Sequence, residues 1–192
     1  MAAGEQEVPK VVAVVASLLE RAAETTDYAA VDRRDSPFRG RSRPCISIRG
    51  YVDRIFRYAG CSPSCYVVAY VYLHRFSSRQ QSVAVDSFSI HRLFLTCLLL
   101  AVKFVDDLYY NNAYYAKVGG ISTAEMNVLE LDFLFGLGFD LNVTLSMFDD
   151  YCRILQSQMC VESPSSTCGF FDEEEEQSKL GEEQQLVVGG QG

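Results

Sequence analysis

The feature that most constrains the fold is a run of apolar residues between positions 93 and 105, LFLTCLLLAVKFV. As a helix this run has no polar face, so other helices have to surround it. It is shorter than the roughly 20 apolar residues that a membrane-spanning helix needs. The run therefore predicts the central helix of an all-α bundle, over residues 89–105, and no membrane association.

Six further segments repeat apolar residues at helical spacing. Ordinary helix signals mark their ends: Ser62-Pro63 begins one helix, Gly60 ends the one before, and Ser122 with Glu125 has the spacing of a capping box. The predicted helices cover residues 10–23, 47–58, 63–76, 112–118, 123–137 and 144–159. We expect the first and the last to pack outside a compact group of five, in which the apolar helix is the most buried.

The formal net charge of −8 is unevenly distributed. From Glu162 onward, eight acidic residues accompany one lysine, so the remainder of the chain is nearly neutral. Because apolar residues are scarce there, we expect residues 162–192 to be disordered. Five arginines lie between positions 33 and 43. We interpret them as a solvated linker, with phosphate binding as the alternative. A neutral body with an acidic tail does not favour a nucleic-acid partner.

No complete catalytic motif is present. The glycine pattern that begins at Gly136 has Leu141 where a dinucleotide-binding motif needs its last glycine, and phosphate loops and nucleophile elbows are absent. The seven cysteines are scattered, and no signal-peptide pattern precedes them. We therefore predict an intracellular protein with reduced thiols, and no catalytic residue, cofactor or metal.

Lys103 lies in the last turn of the apolar helix. An unpaired buried ammonium costs several kcal/mol, so this side chain needs either water or a partner. Glu130, on the next long predicted helix, is the natural partner. The alternative is an ordinary lysine whose stem packs on apolar surface while its amine reaches water. Spacing alone leaves both open.

Two segments carry a resemblance to a known family. Residues 98–107 (LLLAVKFVDD) and 125–142 (EMNVLELDFLFGLGFDLN) are similar to the third and fifth helices of a cyclin box. Residues 107–122 (DLYYNNAYYAKVGGIS) resemble the plant P-type cyclins, also called U-type, which are related to the fungal cyclins of phosphate signalling. The resemblance implies an all-α fold with a single five-helix cyclin box and flanking N- and C-terminal helices.

The resemblance also implies a division of the chain. The expected parts are an N-terminal helix and basic linker (1–45), the cyclin box (46–145), a C-terminal flanking helix (146–161) and the acidic tail (162–192). Only 42 residues follow Asp150, too few for a second box.

The function implied by the resemblance is that of a non-enzymatic subunit. Cyclins bind and activate cyclin-dependent protein kinases, here in the nucleus, the cytoplasm or both, to control cell division or nutrient signalling. In cyclins, the residues that match Lys103 and Glu130 bond the main chain around the regulatory helix of the kinase. The residues that match the apolar kinase interface are Phe104, Leu134, Phe139 and Leu141. For Leu134 and Leu141, plain core packing is an equal alternative.

One departure from the family pattern bears on function. Mitotic and G1/S cyclins carry a hydrophobic substrate-docking patch in the first box helix, but residues 47–51 here (SIRGY) are too polar for that use. The alternative function is a cyclin-fold module that contacts DNA or a transcription factor without activating a kinase. Cyclin-fold proteins of that type have two boxes and a basic surface, whereas one box fits here and the pI is near 4.8.

Overall fold

The computed structural model describes residues 7–29 and 36–162 of the 192-residue chain. This part contains seven α-helices and no strand, so the predicted all-α class is confirmed. The helices are α1 (Lys10–Tyr28), α2 (Ile48–Ala59), α3 (Pro63–Arg79), α4 (Ile90–Val105), α5 (Asn112–Gly119), α6 (Thr123–Leu137) and α7 (Leu145–Glu162). Disorder is predicted for residues 162–192. Glu162 is instead the last residue of α7, and residues 163–192 lie outside the described residues.

Helix α4 is the centre of the fold, as its apolar run predicts. Every residue from Ile90 to Val102 except Arg92 is buried, and the helix contacts α2, α3, α5 and α6. Thr96 is the polar residue at its middle, and its hydroxyl donates to the carbonyl oxygen of Arg92 at 2.8 Å, which removes the cost of burying it. Burial ends at Lys103, so the last turn of α4 reaches the surface.

Helix α1 differs from the expected flanking helix in its length and its packing. Val11, Val15 and Leu19 on one face are fully buried in the same hydrophobic core as α4, and the helix contacts α2, α3 and α7. It also extends five residues beyond the predicted end, to Tyr28. Nothing in residues 24–28 is a helix-breaking glycine or proline. Helix α1 is therefore part of the hydrophobic core, although the expected cyclin box begins only at residue 46.

Helix α7 packs on the outside of α1 and α3. Leu155 is its fully buried apolar residue among those whose side chains are described. Polar contacts complete the packing: Tyr151 and His74 share a hydrogen bond of 2.8 Å, and Arg21 donates to Gln158 at 3.0 Å. The helix is thus attached along one face only.

The basic connector after α1 is anchored to the core by an aromatic residue. Phe38 is buried and packs edge-on against Phe76 and Phe133, with ring centroids 5.3 and 5.9 Å away. Beside it, Arg39 forms a 2.6 Å ion pair with the buried carboxylate of Asp86. Phe38, Arg39 and Gly40 are therefore held against the bundle, whereas Arg41 and Arg43 are exposed, as expected for a solvated linker. Within the described ranges, no helix has the length and apolar character to cross a membrane.

Candidate functional site

The predicted pair of Lys103 and Glu130 is present. Lys103 Nζ lies 2.6 Å from Glu130 Oε1, and the two side chains are 28% and 16% exposed. The pair joins the last turn of α4 to the middle of α6. Both side chains are partly exposed, so the two opposite charges form an ion pair that is not fully buried. The pairing expected from the sequence is confirmed, and its use in binding a kinase stays a prediction.

The second oxygen of Glu130 has a partner that the sequence did not indicate. Asn112 donates from Nδ2 to Glu130 Oε2 at 2.6 Å and to Asn127 Oδ1 at 2.8 Å. Asn112 is the first residue of α5, whose start is fixed by Asn111 accepting a hydrogen bond from the Tyr114 amide. Lys103 from α4 and Asn112 from α5 thus orient the Glu130 carboxylate together. Lys103 uses one of its three donors on Glu130, so two remain for another molecule.

Four apolar residues predicted for the same surface occupy two environments. Phe104 and Phe139 are 52% and 58% exposed, which is unusual for phenylalanine and leaves both rings open to a partner. Leu134 and Leu141 pack against the hydrophobic core and remain partly exposed. Core packing is thus one role of Leu134 and Leu141, and their contact with a partner stays a prediction.

The turn between α6 and α7 places Phe139 at the surface. Gly138 takes the left-handed conformation that ends α6, and Phe139 follows with a φ of +59°. The Phe139 amide donates to the carbonyl oxygen of Leu134 at 2.9 Å, closing a Schellman-type helix end. A bulky residue at positive φ is strained, so the surrounding structure has to hold it there.

Three side chains of α3 hold this turn. The Tyr72 hydroxyl donates to the Leu141 carbonyl at 2.7 Å, and burial raises the pKa of Tyr72, so the hydroxyl stays protonated. Arg75 donates to the Asp140 carbonyl, and Arg79 donates to the Leu137 carbonyl and pairs with the Asp140 carboxylate at 2.7 Å. The backbone on both sides of Phe139 is therefore fixed from α3.

Helix α6 has a second apolar stripe, on the side away from the core. Met126, Leu129 and Phe133 face the core, whereas Val128, Leu131 and Phe135 are more than half exposed. The exposed residues recur at the same helical spacing as the buried ones, which is the signal that sequence inspection could have used. The Phe135 ring contacts Phe139 edge-on at 5.2 Å, so stripe and turn are continuous. We call the six predicted residues, Lys103, Glu130, Phe104, Leu134, Phe139 and Leu141, the α4–α6 surface.

The chemistry of the α4–α6 surface is that of protein recognition. An ion pair supplies donors and acceptors for main-chain groups, and exposed aromatic rings supply area that gains from being covered. In the described residues, no three metal-ligating side chains are grouped. Nothing in the surface is arranged as a nucleophile with an adjacent base.

The profile of the cyclin family matches residues 9–141. Cyclin-U4-1 of Arabidopsis thaliana is 53% identical over 191 residues, which cover 93% of this chain and 95% of that protein. Cyclin-P4-1 of Oryza sativa subsp. japonica is 59% identical over 159 residues, covering 79% of this chain and 75% of that protein. Cyclin-U4-3 of Arabidopsis thaliana is 54% identical over 153 residues, covering 80% and 70%. The chain therefore belongs to the cyclin family, with plant P-type and U-type cyclins among its relatives.

Proposed function

We propose that the chain is a regulatory subunit that binds a cyclin-dependent protein kinase through the α4–α6 surface and activates it. The observation that carries this proposal is the Lys103–Glu130 pair, oriented by Asn112 and bordered by the exposed Phe104 ring. Membership of the cyclin family supports a kinase as the partner. The kinase is the enzyme in this complex, and the chain contributes binding energy.

The two charged groups suit a main-chain target. The free donors of Lys103 bind carbonyl oxygens, and Glu130 accepts from amides when it exchanges one of its present partners. Such contacts do not depend on the side chains of the kinase. We expect Phe104, Phe139 and the partly exposed Leu134 and Leu141 to add apolar area to the same interface. Covering that area excludes water from the charged contacts and strengthens them.

Activation follows from which kinase conformation the surface fits. A protein kinase is active when a glutamate on its regulatory helix pairs with the lysine that holds the ATP phosphates. A partner that binds this arrangement more tightly than the inactive one shifts the population toward it. The chain thus works as a switch on a pre-existing equilibrium, without taking part in phosphoryl transfer.

In this proposal, the activated kinase controls cell division or nutrient signalling. The complex acts inside the cell, in the nucleus, the cytoplasm or both. The second candidate is a cyclin-fold module in transcription that binds its partner without activating a kinase. It would use the same exposed apolar surface, and kinase activity separates the two.

Binding is tested by isothermal titration of the full chain into a panel of purified cyclin-dependent kinases. Against a kinase that binds, we expect Lys103→Ala to weaken association by about 2–5 kcal/mol, the usual cost of truncating a hydrogen-bonded charge that becomes buried at an interface. Lys117→Ala, which removes an exposed lysine of α5, is the matched control and should change affinity little.

Thermal melts of the same variants separate binding from folding. Because the pair is partly exposed, we expect its loss to cost the isolated chain about 1 kcal/mol or less. Wild-type affinity of the Lys103→Ala, Glu130→Ala double variant would refute the site. A large fall in its melting temperature would show instead that the pair is structural.

A further inference from the structure

A second surface lies at the opposite end of α4 and is not used by the proposed kinase contact. It is an open cleft of about 700 Å³ between α2, the start of α4, the α5–α6 turn and residues 37–46. Along the α4 axis, Arg92 in the cleft is about 16 Å from Lys103, at 1.5 Å per residue. We call it the arginine cleft, because it is lined by Arg39, Arg41, Arg54 and Arg92.

The arginine cleft carries positive charge that nearby groups do not neutralise. Arg39 is paired with Asp86, and Arg92 lies 2.6 Å from Glu125, the carboxylate that lines the cleft. Arg41 and Arg54 are exposed and form no ion pair or hydrogen bond within residues 7–29 and 36–162. Two guanidinium groups from different elements are therefore available to an anion.

The walls of the cleft are held in place. A Cβ atom at Gly40 would lie 2.6 Å from Arg92 Nη1, so glycine at this position lets residues 36–47 pass directly over the Arg92 side chain. The Arg39 guanidinium stacks 4.6 Å from the centre of the Phe88 ring. On the other wall, the Tyr51 hydroxyl donates to the Gly119 carbonyl at 3.1 Å. The walls of the cleft are thus preformed, and only the exposed Arg41 and Arg54 side chains would have to be ordered when an anion binds.

A buried polar side chain in the cleft wall has an unused hydrogen-bonding atom. His91 is 8% exposed, its Nε2 lies 3.1 Å from the Ile46 carbonyl, and its Nδ1 has no partner. Burial lowers the pKa of His91, and the charges of Arg43 and Arg92 lower it further. The imidazole thus lies in a positive field, which a bound anion would reduce.

We propose that the arginine cleft binds the phosphoryl group of a phosphoserine or phosphothreonine segment in a partner protein. A phosphate monoester offers about two negative charges and three acceptor oxygens, which match guanidinium groups approaching from several sides. A carboxylate satisfies one guanidinium, as Glu125 does with Arg92. The cleft is much larger than a phosphate ion, and Pro37, Pro44 and Ile121 add apolar wall for residues beside the phosphorylated one.

The test uses the immobilised full chain and degenerate peptide libraries with one fixed central residue: phosphoserine, phosphothreonine, unmodified serine or glutamate. We expect at least tenfold greater retention of the two phosphorylated libraries than of the serine library. Arg41→Gln with Arg54→Gln should reduce that retention to the serine level. Arg57→Gln is the matched control, since Arg57 is an exposed arginine of α2 that does not line the cleft. All variants should keep the wild-type melting temperature and kinase affinity.

Several results would overturn the proposal. Undiminished retention by the Arg41→Gln, Arg54→Gln variant would place phosphopeptide binding elsewhere. Equal retention of the glutamate library would assign the cleft to an acidic segment, such as residues 172–176 of this chain. Displacement of the peptides by micromolar inorganic phosphate would indicate a small-anion site. Tighter, arginine-dependent binding of a short single-stranded RNA would indicate a nucleic-acid site. Because kinase affinity is measured in parallel, failure here leaves the proposed function intact.

Discussion

At the scale of the residue, the α4–α6 surface depends on one phenylalanine in an unfavourable backbone conformation. Phe139 has a φ of +59°, and its ring is mostly exposed, so the ring gains too little from packing to offset the strain in the free chain. Tyr72, Arg75 and Arg79 hold the backbone on either side. A strained residue kept at the surface by three side chains of α3 is consistent with selection for binding rather than for stability.

Replacing Phe139 by glycine and by alanine separates these two effects. Glycine accepts positive φ without cost, so we expect Phe139→Gly to be about 1 kcal/mol more stable than Phe139→Ala in urea unfolding. Both variants should bind the kinase at least tenfold more weakly, since both lack the ring. An alanine variant as stable as the glycine variant would show that the turn carries no strain.

Residue-level prediction from the sequence succeeded where local chemistry was sufficient. Lys103 had to find water or a partner because it ends an apolar helix, and the partner is Glu130. Asn112 could not be identified in this way. Its contact with Glu130 depends on how α5 is placed against α6, and an asparagine at a helix start usually acts as a cap.

At the scale of the element, helix ends marked by a glycine were more predictable than helix ends without one or than helix packing. Gly60 ends α2, as the sequence predicts, and Gly120 and Gly138 end α5 and α6 in the same left-handed conformation. The place of α1 in the core was not predicted, because its apolar stripe is equally suited to a helix on the outside. The exposed stripe of α6 shows the converse: apolar spacing indicates a face that needs covering, but not what covers it.

The contribution of α1 can be measured with two neighbouring leucines. Leu19 is fully buried against the core, whereas Leu18 is partly exposed. We expect Leu19→Ala to lower the free energy of unfolding by about 2–5 kcal/mol and Leu18→Ala by about 1 kcal/mol. Urea titration followed by circular dichroism measures both. Equally small losses of unfolding free energy in both variants would mean that α1 contributes little to the stability of the core.

At the scale of the whole molecule, charge separates a nearly neutral helical body from an acidic C-terminal segment. The α4–α6 surface and the arginine cleft both lie within the body. Deleting residues 163–192 should therefore leave kinase affinity within twofold of the full chain, as measured by titration calorimetry. Loss of binding on deletion would mean that the acidic segment forms part of the kinase interface.

The central claim is that this cyclin activates a kinase, and phosphorylation rate tests it most directly. The activity of each purified cyclin-dependent kinase of the panel toward a peptide substrate is measured with and without saturating chain. For a kinase that is about 1% in its active arrangement when alone, full conversion predicts a rise of about 100-fold. The Lys103→Ala, Glu130→Ala variant should remain near the basal rate at the same concentration. A kinase that binds the chain tightly and stays at its basal rate would contradict activation and favour the transcriptional module.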